Sequence, residues 1–388
     1  MNARALTIMI LAVAVTALTA TVALAQSAQV IVTPKASYRI SYDDNVNNTK
    51  KGDIEHRLTP ALQVDVNTER SKNTLKAIVG IYRYGDLDNL DRTTQKYSLS
   101  SRNDLTERVR LHLNTSYDDD YTISNIAEEQ AQIASKTARR RLSLSPRLEF
   151  VVTERNLFGL SYSYGSTDYD RDTYVDYDNQ SVSADWTYIW TERFRVRASA
   201  GTSWYDNRYN NGDGTYSDLT FMAGFDYDID EIWTWSFMGG LLQSKTTVDR
   251  TGQDTDTEGD GYVGSTRLAW NYPRSDGYVE YARDNTIGLS GETLTRDRFR
   301  LNERYLLTER SRLKFTALYT MAESDNSLST ETDSSYAQGQ LSYEYDLDED
   351  WTWEVGGSHE FFENHVNSNT YDRNKVFMEI RWDLPQEW

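Results

Sequence analysis

The stretch TERVRLHLNTSYDDDY, residues 106–121, decides the fold. After a three-residue turn, Val109, Leu111, Leu113, Thr115 and Tyr117 fall on one face of an extended chain. Arg108, Arg110, His112, Asn114 and Ser116 fall on the other. Successive side chains of a strand point to opposite faces, so a strict period of two marks a strand with one apolar and one polar face. The pattern returns from 193, with Phe194, Val196, Ala198, Ala200 and Trp204 against Arg193, Arg195, Arg197, Ser199 and Ser203. From 312, Leu313, Phe315, Ala317, Tyr319 and Met321 oppose Arg312, Lys314, Thr316 and Thr320. These runs reach about ten residues, enough to cross a hydrocarbon layer at a tilt, whereas strands of soluble sheets average about 5–6. A two-layer soluble sandwich also alternates, but its polar face more often mixes both charge signs.

The turn that opens this stretch is itself repeated. Thr-Glu-Arg occurs at 68–70, 106–108, 153–155, 191–193 and 308–310, with related short turns at Asp230-Glu231, at 273–276 and at Asp348-Glu349-Asp350. Successive turns lie roughly forty residues apart, which fits a down-strand, an up-strand and a longer far-side loop. Between them lie segments crowded with Asp, Asn, Gly, Ser and Thr: 43–53, 85–93, 118–138, 167–178, 206–215, 245–259, 286–295, 323–333 and 362–372. Eight short turns and nine long loops predict eighteen strands, or sixteen if a terminal hairpin is misassigned. Short turns at one rim and long polar loops at the other are the asymmetry of transmembrane barrels. A soluble propeller of similar period would carry four short strands per repeat instead of two long ones. The fold class expected is therefore all-β, a transmembrane antiparallel up-and-down β-barrel.

The last strand supports this. Val376, Met378, Ile380, Trp382, Leu384, Gln386 and Trp388 share one parity, and Lys375, Glu379, Arg381, Asp383 and Glu387 the other. A terminal strand ending on Trp resembles the segment read by the barrel assembly machinery, with Trp382, Leu384 and Trp388 as its apolar signal. Pro385 is tolerable only where the ladder closes. Trp190, Trp233, Trp235, Trp351, Trp353 and Trp388 cluster at the short-turn end, and Trp204 with many Tyr lies toward the other. Rings at both ends suit a lipid headgroup girdle, with sugar stacking as the alternative for any that face inward.

Composition agrees. Mean hydropathy is −0.70, yet 27 Tyr, 11 Phe and 10 Trp are too many aromatics for a disordered chain. Alternating faces average out in a hydropathy scan, so a barrel is missed by it. At the N-terminus, Arg4, the apolar run Leu6 to Leu24 and Ala23-Leu24-Ala25 read as a secretory signal over 1–25, with an uncleaved anchor as the alternative. Residues 26–35 are expected as a short periplasmic segment and 36–388 as the barrel. The chain has no cysteine, which closes the lipoprotein route. Once Arg4 is removed, 40 basic residues face 60 acidic ones, a net −20 that argues against nucleic acid as a partner.

An eighteen-strand barrel is wide enough to enclose an aqueous lumen. The polar parity is rich in cations: Arg57, Arg83, Arg108, Arg110, Arg141, Arg147, Arg193, Arg195, Arg197, Arg298, Arg300, Arg304, Arg312 and Lys314. Two roles stand side by side for these pore-lining candidates. They attract anionic solutes, or they pair with acids such as Glu149, Asp65 and Glu379 to brace the wall. The long loops are acidic, and Asp254-Thr-Asp-Thr-Glu-Gly-Asp260 resembles the start of a calcium loop. Ser265 stands where such a loop needs its bidentate Glu, so no metal site and no cofactor is expected. The longest loop, 118–138, carries capping-box spacing at Asn125 and Glu128 before an Ala/Glu/Gln run, which predicts a short helix. Folded inward it narrows the pore, and folded outward it is a lid.

With these features together, the chain resembles the β-barrel porins encoded beside bacterial exopolysaccharide systems. The resemblance rests on Ser37-Tyr38-Arg39-Ile40-Ser41-Tyr42-Asp43-Asp44-Asn45, the Thr-Glu-Arg turns and the aromatic terminal strand. It implies a Gram-negative outer membrane, termini in the periplasm, and polysaccharide export with a periplasmic export protein as partner. An Arg-lined lumen fits an acidic polymer, as in the similar alginate exporters. A general diffusion porin for small anions is the alternative, followed by a non-conducting receptor, whose loops of about ten residues are short for a binding platform. His56, His112, His359 and His365 come with no partner motif, so no catalytic site is expected. Only Gln26 to Pro34 precede the first expected strand, too few for a plug domain.

Overall fold

The computed structural model describes residues 28–387 apart from 49, 125, 133–134, 210–211, 251–252 and 325–331. The expected signal segment 1–25 and Trp388 lie outside the described residues. The strands are β1 (Gln29–Asp43), β2 (Asp53–Asn67), β3 (Ser71–Tyr84), β4 (Arg92–Asp104), β5 (Val109–Tyr121), β6 (Ala138–Thr153), β7 (Asn156–Tyr169), β8 (Asp176–Ile189) and β9 (Phe194–Tyr209). There follow β10 (Gly212–Asp228), β11 (Trp233–Arg250), β12 (Gln253–Tyr272), β13 (Ser275–Ile287), β14 (Thr293–Leu306), β15 (Ser311–Ser324), β16 (Asp333–Asp346), β17 (Trp351–Asn364), β18 (Asn369–Asp383) and the two-residue β19 (Gln386–Glu387). One short helix, α1 (Ile126–Gln130), lies between β5 and β6.

Each strand pairs antiparallel with its sequence neighbours, and β18 closes on β1 from Lys35↔Asp383 to Asp43↔Lys375. Past Pro385 the same line resumes as β19 against Ile31 and Val32, so the barrel has eighteen staves. Proline has no N–H to give the ladder, and the ladder breaks there. Closure of β18 on β1 pairs the staves around the ring, which is what allows a sheet to sit in hydrocarbon.

The short turns have a common cause. In each of Thr68, Thr106, Thr153 and Thr191 the hydroxyl accepts from the backbone N–H groups two and three residues on. The Asp230 and Asp348 carboxylates do the same. A side-chain acceptor that mimics a backbone turn reverses the chain within the fewest residues. The expected faces follow from register, because directly paired residues share a face. Tyr38 pairs with Leu58, Phe221 with Ala200 and Trp351 with Trp382, and all belong to the outer, lipid-directed side. Trp204, Trp235 and Trp353 share that side, consistent with a girdle.

Several boundaries differ from expectation. Residues 29–35 are not a separate segment. They are strand, paired with Ala61 to Asn67 of β2, since Val30, Val32 and Pro34 continue the outward parity of β1. The segments 206–215 and 245–259 are mostly strand: β9 and β10 run to Tyr209 and from Gly212, and β11 and β12 pair as far as Arg250↔Gln253. Their Asp and Gly content signalled loops, but cross-strand pairing satisfies the backbone regardless. Asp254 to Asp260 accordingly lies along β12.

Above the Gly264↔Arg283 pair, β12 leaves β13 and pairs only with β11. The β13–β14 tip turns into the barrel, where Ile287, Leu289, Glu292 and Leu294 are buried. It is held by the Asn207 amide (3.1 Å) and the Tyr209 hydroxyl (3.0 Å), both donating to the Gly291 carbonyl.

Candidate functional site

The β5–β6 connection resolves the choice left open by its sequence: it folds inward. It leaves the wall at β5 and docks α1 on β15 and β16, ten and eleven staves on in a ring of eighteen, so it crosses the lumen. Ala131 is fully buried among Leu294, Leu318, Ala322, Tyr336 and Phe362, an apolar patch on the inner wall, with Ala127 packed beside it. Hydrogen bonds complete the dock. The Ser334 and Thr320 hydroxyls and the Arg296 guanidinium donate to the carbonyls of Ala131, Glu128 and Glu129. Near its origin, Arg139 and Arg141 pair with both Asp120 and Glu129. Lys136 donates to the carbonyls of Asn89 (2.8 Å) and Asp91 (2.7 Å) in the β3–β4 loop.

The inturned β13–β14 tip meets this crossing. Gln130 donates to the Ile287 carbonyl, and Gln132 to Glu292, whose buried carboxylate also accepts from Thr332. Leu289 packs against Tyr169, Tyr174 and Tyr177, filling the lumen on the β7–β9 side. On the side of β1–β4 and β16–β18 the crossing leaves a chamber of about 230 Å³.

The expected pore-lining cations are mostly inside and mostly paired. Arg110 meets Glu149 (2.8 Å), Arg147 meets Asp185, and Arg195 and Arg197 share Asp226 and Asp228. Arg298 meets Asp284, Arg304 meets Asp276 (2.7 Å), and Arg312 and Lys314 converge on Glu344. Arg300 is inward and acts on Glu128 of α1 through space. Arg108 and Arg193 are exposed in the short turns, at the rim instead of the wall. Arg83 pairs with His56, which bonds Tyr38, and so lies on the outer face. Of the expected acidic partners, Glu149 and Glu379 do pair with arginine, but Asp65 accepts from Gln63 and Thr74. In the terminal strand, Trp382 faces out beside Trp351, and the Leu384 N–H donates to Pro34.

The chamber is lined by residues the sequence reading underweighted. Arg39, Arg57, Arg92, Arg373 and Lys375 line it together with Glu55, Glu128 and Glu360, and Glu379 and Asp43 behind them pair with Arg39 and Arg373. Arg92 falls in the expected loop 85–93, and Arg373 lies just before the residues expected for the last strand. Extending the strand parity two or three residues into those loops would have placed both inward. Among the described residues no group of three metal-binding side chains gathers.

The family described as "Putative beta-barrel porin 2" matches residues 29–145. No curated protein matches the sequence. Among solved structures, the unliganded ferric citrate transporter FecA superposes with a TM-score of 0.51 at 9% identity, over 93% of this chain and 79% of that one. The copper transporter OprC gives 0.50 at 9% identity over 88% of this chain, which spans only 62% of OprC. OccAB3 of Acinetobacter baumannii gives 0.46 at 10% identity over 93% of this chain and 100% of that one. At such identities the likeness shows the fold alone: a closed outer-membrane β-barrel of the kind shared by transporters.

Proposed function

We propose that this barrel is an outer-membrane channel for acidic saccharides, with its short turns and both termini in the periplasm. The observation that carries the proposal is the chamber beside the lumen crossing, polar, tyrosine-walled and lined by Arg39, Arg57, Arg92, Arg373 and Lys375. Arginines paired with a carboxylate, along the wall and in the chamber alike, contribute little net field. Selectivity comes from the chamber because the crossing narrows the lumen there, and the wall pairs brace the barrel. Lipid covers the outer face, and the terminal strand serves as the assembly signal.

Export of an exopolysaccharide, with a periplasmic export protein at the short-turn rim, is the biological role that the family resemblance supports. Threading a polymer requires the crossing to move aside. Passage of small acidic sugars does not, and the buried dock of Ala131 favours that second reading at rest. Deleting the gene and measuring surface polysaccharide alongside uptake of small anionic sugars separates the two. Loss of polysaccharide supports export, and impaired uptake with normal polysaccharide supports diffusion. No change in either contradicts both.

A further inference from the structure

We infer that the free upper edge of β12 is a docking edge for a protein strand of alternating basic and β-branched residues, which joins the sheet by backbone pairing. The inference concerns the long-loop rim and is independent of what the lumen carries.

The edge exists because β13 leaves it. β12 pairs with β11 from Gln253 to Trp270, but with β13 only from Gly264 to Tyr272. From Gln253 to Val263 no strand among the described residues covers its other side, since the β13–β14 tip has turned into the barrel. The gap has a fixed foot, where Arg283 lies over the Tyr262 ring at 4.3 Å and pairs with Asp297 at 3.0 Å. It also stands above the hydrocarbon. Leu241 and Tyr262 are the last apolar pair on the outer face, and Gln243, Lys245, Asp260 and Glu258 follow them.

An unpaired row of backbone N–H and C=O groups is a template for another strand. Folded proteins blunt such edges with proline, a bulge, a covering element or charge. This run has no proline and no register shift against β11, so only charge guards it. That charge is of one sign: Asp256, Glu258 and Asp260 alternate along the outer face. Asp256 meets Lys245 at 3.5 Å, whereas Glu258 and Asp260 have no cation partner among the described residues. A second copy brings the same acids to the edge, while a strand with lysine or arginine at every second position neutralises them.

The inner side of the edge is hollow. Gly259 and Gly261 carry no side chain, and a Cβ on Gly261 would meet only Leu242 at 3.8 Å. Beside them is a cavity of about 340 Å³, lined by Tyr216, Leu242, Ser244 and Thr246 of the sheet and by Asn285 and Thr293 of the inturned tip. Side chains of a strand alternate between faces. A strand laid on β12 therefore sends its basic residues out beside Glu258 and Asp260 and its other residues into this cavity. The walls mix hydroxyl groups with Leu242, which suits valine or threonine.

Titration of the full-length barrel in detergent with a seven-residue peptide alternating lysine and valine tests this. Two further peptides carry N-methyl groups on the lysine amides or on the valine amides, which removes N–H donors and keeps the charge. The parent peptide is expected to bind, and one of the methylated pair to bind about tenfold more weakly. Glu258→Lys combined with Asp260→Lys, and separately Gly261→Phe, which fills the cavity, are each expected to weaken the parent peptide by a similar factor. The heat-modifiable migration of the folded barrel is retained in both as proof of folding. No binding, equal binding of all three peptides, or unchanged affinity in both folded variants overturns the docking edge. Disulfide-linked dimers of a Thr257→Cys variant assign the edge to a second copy and overturn it too.

Discussion

Glu344 is 1% exposed and carries Arg312, Lys314 and Arg381 at once, so one carboxylate anchors three cations of β15 and β18 to β16. Removing one member of a buried charge cluster strands the others. Glu344→Gln is expected to cost about 3–5 kcal/mol, seen as a lower temperature of unfolding on heated gels. An unchanged temperature contradicts the cluster's role. Outside the spanning strands, Asp44 accepts from the backbone and side-chain amides of Asn374, and these bonds lower its pKa. A carboxyl whose folded pKa is depressed stabilises above the unfolded value, near 3.9, and loses that contribution as pH falls through the folded one. Hydrogen exchange around residues 44–52 is therefore expected to stay slow down to about pH 4 and to accelerate below it. Acceleration already near neutrality contradicts the tie. At the turns, Thr106→Ala removes an acceptor for two N–H groups and is expected to cost about 0.5–1.5 kcal/mol. Heated-gel unfolding measures that as well.

Two elements decide whether the lumen is open: the β5–β6 crossing and the β13–β14 tip. The crossing is held by apolar contact plus a few hydrogen bonds, so a charge in the contact should release it. Ala131→Arg places a guanidinium among Leu294, Leu318 and Phe362. The variant is expected to raise single-channel conductance severalfold, and conductance equal to the parent shows that the crossing does not limit flow. The tip turns on Gly291, whose φ is +80° and where a Cβ would meet the Tyr209 hydroxyl at 2.6 Å. A β-branched residue is strained in that region by roughly 1–2 kcal/mol before the clash is counted. Gly291→Val is expected to undock the tip and expose 286–294 to protease, whereas wild-type resistance in the variant contradicts the dock.

At the scale of the molecule, the barrel was legible because its signals are local and repeated. Thr106 and its equivalents mark each reversal, and the alternation around Leu111 and Arg110 assigns both faces. The eighteen staves and the closing strand follow from those two periods. What fills the barrel was less legible, because it depends on contacts between residues far apart in the chain. Nothing adjacent to Ala131 signals that it docks on Leu318, and the Asp-rich run at 254–260 looked like loop until β11 paired with it. The lumenal arginines were visible one by one, but their net effect depends on which carboxylates face them. Arg147 is cancelled by Asp185 across the sheet, whereas Arg57 and Lys375 stand 4.0 and 3.9 Å from Glu379 and Asp43 at the chamber. The central claim is thus that the barrel conducts and that the cations lining the chamber set its preference. Reconstituting the purified protein in planar bilayers under a salt gradient measures both. A reversal potential on the anion-selective side, shifted toward zero in Lys375→Gln, is the result predicted. Cation selectivity, or no conductance at all, contradicts it.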